Sequence, residues 1–285
     1  MSGTQRRDGA EVDSGSEFRG DARWVLRAGS MRTDQRTPVN NAPAFADKAT
    51  VDYFDSHQHH YSAQRIEGVA NLLREHVAPG AKLCDVSSGG GEILDRLATQ
   101  LGIEDLTAID ASHRAIERVQ ERLPTATTIR TSICDEHAMS PWHGQFDVVL
   151  VSAVLHHLVT RTRRGSSRSA WQGLRNASRL VKPGGVLVVL EPVFSPRPVT
   201  WLVFWIKRLV TQLTTGRVPI LGYWNNIGAP VVSFYSAPQV RNMVTGAGAQ
   251  IVREGNITKR LGYADLVLNK TNLSLVARIP SADSH

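Results

Sequence analysis

Cysteine is nearly absent. Two residues in a chain of 285 exclude the disulfide framework that holds small secreted scaffolds together. Long apolar runs are missing too, since none approaches the roughly 20 residues needed to cross a bilayer. The first 40 residues hold interleaved charges and no apolar stretch, so no secretory signal is expected. Hydrophobic residues at 41% and charged residues at 21% exclude collagen, coiled coil and wholesale disorder. These absences lead to the expectation of a soluble, cytoplasmic globular chain. Positive charge is in surplus: 33 Lys and Arg face 26 Asp and Glu, for a net charge of +7. That balance suits an anionic substrate, a membrane surface or nucleic acid. The cations are scattered and accompany no recognised nucleic-acid module, so no nucleic-acid partner is expected.

Residues 1–46 are rich in Gly, Ser, Arg and Asp without sustained periodicity. They are expected to be a disordered leader, because they cannot bury enough apolar surface to offset ordering entropy. Residues 47–285 read as one α/β domain. A helix is expected over Tyr61–His76, with Ile66, Val69, Ala70 and Leu73 on one face. From Ala81 onward short apolar runs alternate with amphipathic stretches, the pattern of a parallel sheet covered by helices. Strands are expected at Lys82–Val86, Leu106–Ile109, Thr128–Ile133, Phe146–Val151 and Val186–Leu190. Helices fall at Glu92–Gln100, Ser112–Arg122 and Ser169–Leu180. Downstream come a helix at Ala237–Ala247 and strands at Gln250–Glu254 and Asn272–Ala277. The fold expected is Rossmann-like and doubly wound: a mostly parallel seven-stranded sheet with one antiparallel strand, N-terminal helices, and an insertion over 197–235.

The most informative segment is Lys82-Leu83-Cys84-Asp85-Val86-Ser87-Ser88-Gly89-Gly90-Gly91-Glu92. An apolar strand runs into a glycine-rich turn and then a helix, whose first N–H groups lack intrahelical partners and whose glycines admit a ligand close to the backbone. The next strand ends at Asp110, nineteen residues past Gly91. A carboxylate there can accept both ribose hydroxyls of a nucleoside. A dinucleotide fold would want a third glycine where Leu94 stands, so a nicotinamide-dependent oxidoreductase is the weaker alternative.

Asp85-Val86-Ser87-Ser88-Gly89-Gly90-Gly91 resembles motif I of the class I S-adenosylmethionine (SAM)-dependent methyltransferases, written D-V-G-C-G-x-G. The resemblance runs from about Tyr53 to Leu190 and continues through four further stations: Asp110, Ile133-Cys134-Asp135, Ser152-Ala153-Val154-Leu155-His156-His157-Leu158, and Leu180-Val181-Lys182-Pro183-Gly184-Gly185. It implies SAM as cofactor, with Asp85, Ser87, Gly89, Gly91, Asp110, Ala111, Cys134, Asp135 and Ser152 around it. Within that set, Asp110 is implied to hold the ribose and Asp135 to approach the adenine amino group. Tyr53-Phe54-Asp55-Ser56 and Tyr61 through Arg65 resemble the helical lid over the methionine portion, placing Tyr61 and Arg65 there. Ser87 departs from the motif's first glycine, and the turn keeps its shape if Ser87 needs no positive φ. A non-catalytic SAM-binding protein is the alternative from another class.

Methyl transfer is an in-line displacement in which alignment supplies much of the rate, and a general base adds roughly 10²–10⁴-fold where a proton must leave. His156 and His157 follow strand four at the ligand-binding sheet edge, and one of them is the candidate base. Cys84 and Cys134, on strands one and three, are expected as separate buried thiols. His57, His59 and His60 show no recognised metal pattern, so no metal is expected.

Beyond strand five, Thr200 to Leu213 plots as an amphipathic helix. Lys207, Arg208, Thr211 and Gln212 share one arc, while Leu202, Trp205, Ile206, Leu209 and Leu213 share the other. An insertion at this point typically forms the substrate cap in the family. The favoured expectation is a lid over a hydrophobic or lipid-linked acceptor; packing with the basic edge solvated and peripheral membrane contact through 199–213 are the alternatives. Arg161, Arg163, Arg164 and Arg168 suggest a loop able to meet an anionic group. No Asn/Asp-Pro-Pro-Tyr motif follows strand four, and its Ser152-Ala153-Val154-Leu155 favours oxygen or carbon acceptors. The whole points to O-methylation of a small-molecule hydroxyl, with the oligomeric state left open.

Overall fold

The computed structural model describes residues 62–213, 218–219, 226–227, 231–258 and 269–281. The expected leader, the lid residue Tyr61 and the histidines at 57, 59 and 60 lie outside these residues. The chain opens with α1 (Ala63–Leu73), entered through Ser62, whose hydroxyl caps the Arg65 N–H, and followed by one 3₁₀ turn at Arg74–His76. Five β/α steps follow: β1 (Lys82–Val86), α2 (Glu92–Leu101), β2 (Asp105–Asp110), α3 (His113–Arg122), β3 (Thr127–Arg130), α4 (Glu136–Met139), β4 (Phe146–Ser152), α5 (Arg163–Leu180) and β5 (Val181–Ser195). Then come α6 (Arg197–Leu213), a two-residue ladder of β6 (Val218–Pro219) with β7 (Asn226–Ile227), α7 (Ala237–Gly246), β8 (Gln250–Thr258) and β9 (Asn269–Arg278).

Seven strands form one sheet in the order β3-β2-β1-β4-β5-β9-β8. β9 runs antiparallel to both of its neighbours and every other pairing is parallel, as the sequence pattern leads one to expect. Alternation along the strands divides the core between two faces. Val148, Leu150, Val186 and Val188 pack with Ile66, Val69 and Leu73 of α1 and Leu94 and Leu97 of α2. Val149, Val151, Leu187 and Val189 pack with Leu174 and Ala177 of α5 and Val240 and Val244 of α7. Central strands buried on both sides must be apolar throughout, which is why they stand out in the sequence.

Several boundaries differ from expectation. β3 stops at Arg130, so Ile133-Cys134-Asp135 is a turn, and Asp135 is the N-cap of α4 through an Oδ1 bond from the Ala138 N–H. β5 begins at Val181: its ladder with β4 breaks between Phe146 and Val148, so Lys182–Gly185 is a bulge inside the strand and not a turn before it. α5 starts at Arg163, capped by Thr162, so Arg163, Arg164 and Arg168 are helical and only Arg161 precedes the helix.

The largest correction concerns α6. Packing with a solvated basic edge would bury its apolar arc, yet Trp201, Leu202, Trp205, Ile206 and Leu209 are exposed while Lys207 is buried. The cause lies in what the inner face meets. Arg163 donates to the Thr200 hydroxyl at 3.2 Å and to the Phe234 carbonyl, and Arg208 donates to the Thr160 carbonyl at 3.0 Å. These bonds fix the polar side of α6 inward, and burial lowers the Lys207 ammonium to about 8.

Candidate active site

The register brings the carboxyl ends of β1, β2, β4 and β5 to one edge. Val86 is level with Ile109 and Val151, and Ser152 with Leu190. Ser87 and Ala153 therefore leave the sheet beside Asp110, the last residue of β2, and Glu191, where β5 passes the end of β4. Beyond β1 the chain turns sharply: Ser87 has φ +65°, Gly89 +55° and Gly91 +73°. The proviso on Ser87 is thus not met, since it holds the left-handed conformation that the motif's glycine would adopt freely. Gly91 is the N-cap of α2, and a Cβ there would lie 3.2 Å from Val119 Cγ2. A Cβ on Gly89 would meet nothing within 4 Å, leaving open space above the turn.

Asp110 ties this turn to the second strand. Its Oδ2 accepts the Gly89 N–H at 2.9 Å and its Oδ1 the Ser112 N–H at 2.8 Å, while the Ser87 N–H donates to the Ile109 carbonyl at 2.7 Å. Ala111 is half-buried between the two anchored residues. Asp85 is 1% exposed, and its Oδ1 has no hydrogen-bond partner. Burial, with the nearby Asp110 charge adding to it, raises its carboxyl to about 8. An orphaned buried carboxylate oxygen beside an open glycine turn fits a ligand that carries positive charge, as an amino acid sulfonium does.

Cys134 is buried, with its thiol pushed up to about 11 mainly by that burial, and Cys84 is buried within β1; both thiols are free. Asp135 is exposed, and Ser152 is buried at the end of β4.

On the neighbouring strands lies a group the sequence reading left out. Glu191, fully buried in β5, holds His156 Nδ1 at 2.6 Å and accepts the His156 backbone N–H at 3.0 Å through the same Oε1. Burial raises the Glu191 carboxyl to about 8, opposed by the backbone N–H groups of His156 and Leu155 and by the charge of Arg65. Arg65, half-buried on the first turn of α1, is thereby near Glu191. His156 is 1% exposed and His157 half-buried, with their rings 3.8 Å apart. The His156 ring stacks at 6.1 Å on Phe234, which packs on Phe194 at 4.0 Å. Glu191 does have a sequence signal: it is a lone carboxylate inside an apolar run from Val186 to Phe194, the context of Asp85 and Asp110.

A sheet of this order with an acid-tipped β2 beside a glycine turn defines the class I methyltransferase fold. Comparison with known proteins agrees. Residues 84–189 match the family model described as "Methyltransferase domain". A 27-O-demethylrifamycin SV methyltransferase of Amycolatopsis mediterranei (strain S699) is 26% identical over 54% of this chain and 58% of its own length. The ubiquinone/menaquinone biosynthesis C-methyltransferase UbiE of Ralstonia pickettii (strain 12J) is 29% identical over 51% of this chain and 58% of its own. The N-methyltransferase NodS of Bradyrhizobium japonicum WM9, solved with S-adenosyl-L-homocysteine (SAH), superposes with a TM-score of 0.52 at 19% identity, covering 82% of this chain and 100% of that one. Over residues 84–189 the chain carries a methyltransferase domain of the class I SAM-dependent type. The match spans little over half the length of the curated relatives.

Proposed function

We propose that this chain transfers a methyl group from SAM to a hydroxyl of a hydrophobic, lipid-linked or sugar-containing small molecule in the cytoplasm. The observation that carries this reading is the buried His156–Glu191 pair beside the glycine turn. The bound cofactor would supply an electrophilic methyl on sulfur. Asp110 would hold the ribose, Asp85 would face the positive charge of the methionine portion, and Arg65 would lie over it. Asp135 retains one carboxylate oxygen beyond its capping bond for the adenine amino group.

His156 does the proton work in this reading. With Nδ1–H donated to Glu191 Oε1, the tautomer is fixed and Nε2 is the atom that takes the acceptor's proton. Glu191 then stabilises the imidazolium that forms. Of the two histidines, His156 is assigned as base because the Glu191 carboxylate holds its Nδ1 and so leaves Nε2 for the proton. Phe194 and Phe234 give the acceptor side an apolar wall. The relatives' names, one a 27-O-demethylrifamycin SV methyltransferase and one a ubiquinone/menaquinone biosynthesis C-methyltransferase, support a hydrophobic acceptor. Peripheral membrane contact through 199–213 goes with such an acceptor.

The test is direct. Purified chain and labelled SAM are mixed with a panel of phenolic, polyketide and glycosylated acceptors, and products are read by mass spectrometry. A single added methyl, lost in His156→Ala, is expected. Tight SAH binding in calorimetry with no turnover across the panel would mark a non-catalytic SAM-binding protein instead.

A further inference from the structure

The inverted helix α6 has one face that is exposed among the described residues. Its inner stripe is Thr200, Phe204 and Lys207, all buried and spaced as neighbours on one side of a helix. Its outer face is Trp201, Leu202, Trp205, Ile206 and Leu209, between 38% and 58% exposed. Trp201 and Trp205 meet edge to face with centroids 6.2 Å apart. The helix cannot simply roll to bury these residues, because Arg163 and Arg208 hold its other side to Thr160 and Phe234 through the chain.

The chain on either side of this helix carries charge of almost one sign. Between Asp147 and Glu254 the sequence contains a single carboxylate side chain, the fully buried Glu191, against thirteen Lys and Arg. Exposed Arg161, Arg164 and Arg168 lie at the start of α5, and exposed Arg197 starts α6. The Arg163 and Arg208 bonds hold those two segments against each other. Two copies of this face pressed together would set like charges against each other, which disfavours self-association.

We infer that the outer face of α6 docks on a lipid surface bearing anionic headgroups. The tryptophans and aliphatic residues enter the interfacial layer, and the flanking arginines meet headgroup phosphates. Seventeen residues make a rod about 25 Å long, and no described helix is long and apolar enough to cross a membrane. The helix therefore lies in the plane of the surface. This deepens the reading of a hydrophobic acceptor and rests on it only for its purpose: a docked enzyme meets such a molecule where it partitions.

The experiment uses the full chain with vesicles of phosphatidylcholine, alone or with phosphatidylglycerol added, read by co-sedimentation and tryptophan emission. Binding to the anionic vesicles is expected to be at least about tenfold tighter, weakened by salt, with blue-shifted emission. The triple variant Leu202→Ser, Ile206→Ser, Leu209→Ser should lose about tenfold or more of that binding while its SAH affinity, measured by calorimetry, stays unchanged. Arg161→Gln, Arg164→Gln, Arg197→Gln should lose binding to anionic vesicles several-fold without touching the apolar face. Binding to neither vesicle, or equal binding by wild type and both variants, overturns the inference. So does a lipid-free dimer that the serine variant dissolves, since the face then belongs to a second copy. Absence of SAH binding in wild type and variants alike would fail the methyltransferase reading, and the vesicle result would still decide the docking.

Discussion

Asp110 and Gly89 stand 21 positions apart in the chain and share a hydrogen bond of 2.9 Å, from the Gly89 N–H to the Asp110 carboxylate. The group proposed to hold the ribose is therefore also the pin of the turn that would lie under the cofactor. Asp110→Ala removes both roles. It is expected to cost about tenfold or more in SAH affinity and about 1–3 kcal/mol of stability, because two backbone donors lose their acceptor. Calorimetry and thermal melting measure the two effects, and unchanged affinity would take Asp110 out of the site.

The His156–Glu191 pair predicts a kinetic signature. Glu191→Gln keeps the shape of the side chain but cannot become the carboxylate that would stabilise a protonated imidazole. The variant should lose at least about tenfold in kcat with the cofactor KM unchanged, and His156→Ala should lose about 10²–10⁴-fold. His157→Ala should lose much less, since the proton transfer is assigned to His156. Equal losses in the two histidine variants would sink the choice of base.

Asp85 makes stability depend on pH in a defined direction. Its carboxyl titrates near 8 in the fold, against 3.8 ordinarily. Between those values the folded chain keeps a proton that the unfolded chain has released, so this group's contribution falls as pH rises through that window. Asp85→Asn should therefore gain at least about 1 kcal/mol relative to wild type between about pH 5 and about pH 8 in ligand-free urea unfolding. A constant offset across that range would show that the carboxyl is not buried as described.

The turn itself gives a paired test. Gly91→Ala places a Cβ at positive φ and 3.2 Å from Val119, and should destabilise by about 1–3 kcal/mol. Ser87→Gly relieves the φ of +65° and should range from neutral to about 1 kcal/mol stabilising, the gain offset by greater freedom in the unfolded chain. In thermal melting Gly91→Ala is expected below wild type and Ser87→Gly at or above it.

The sheet was readable because its inner strands are buried on both faces, so Val148–Val151 and, apart from Asp85, Leu83–Val86 are apolar runs. The glycine turn and Asp110 were readable because backbone geometry there restricts the choice of residue. Strand ends were less so. Ile133 continues the apolar pattern past β3 yet packs as a turn residue on α5, and hydrophobicity alone does not distinguish the two. α6 misled for a related reason: its periodicity is that of an ordinary packed helix, and only the tertiary bonds of Arg163 and Arg208 decide which arc faces in. Glu191 escaped because it sits inside an apolar run, where a carboxylate reads as the strand's end rather than its working part.

β5 runs on past the last residue of β4. From Glu191 to Ser195 it is carried by β9 and by a bridge to Tyr235, away from the strands that form the glycine turn. In the proposed reading the chain thus divides labour between a nucleoside-facing half and an overhanging arm that carries Glu191 and Phe194. Exchange of residues along that arm can retune which molecule is accepted while leaving the methyl-donor half as it stands.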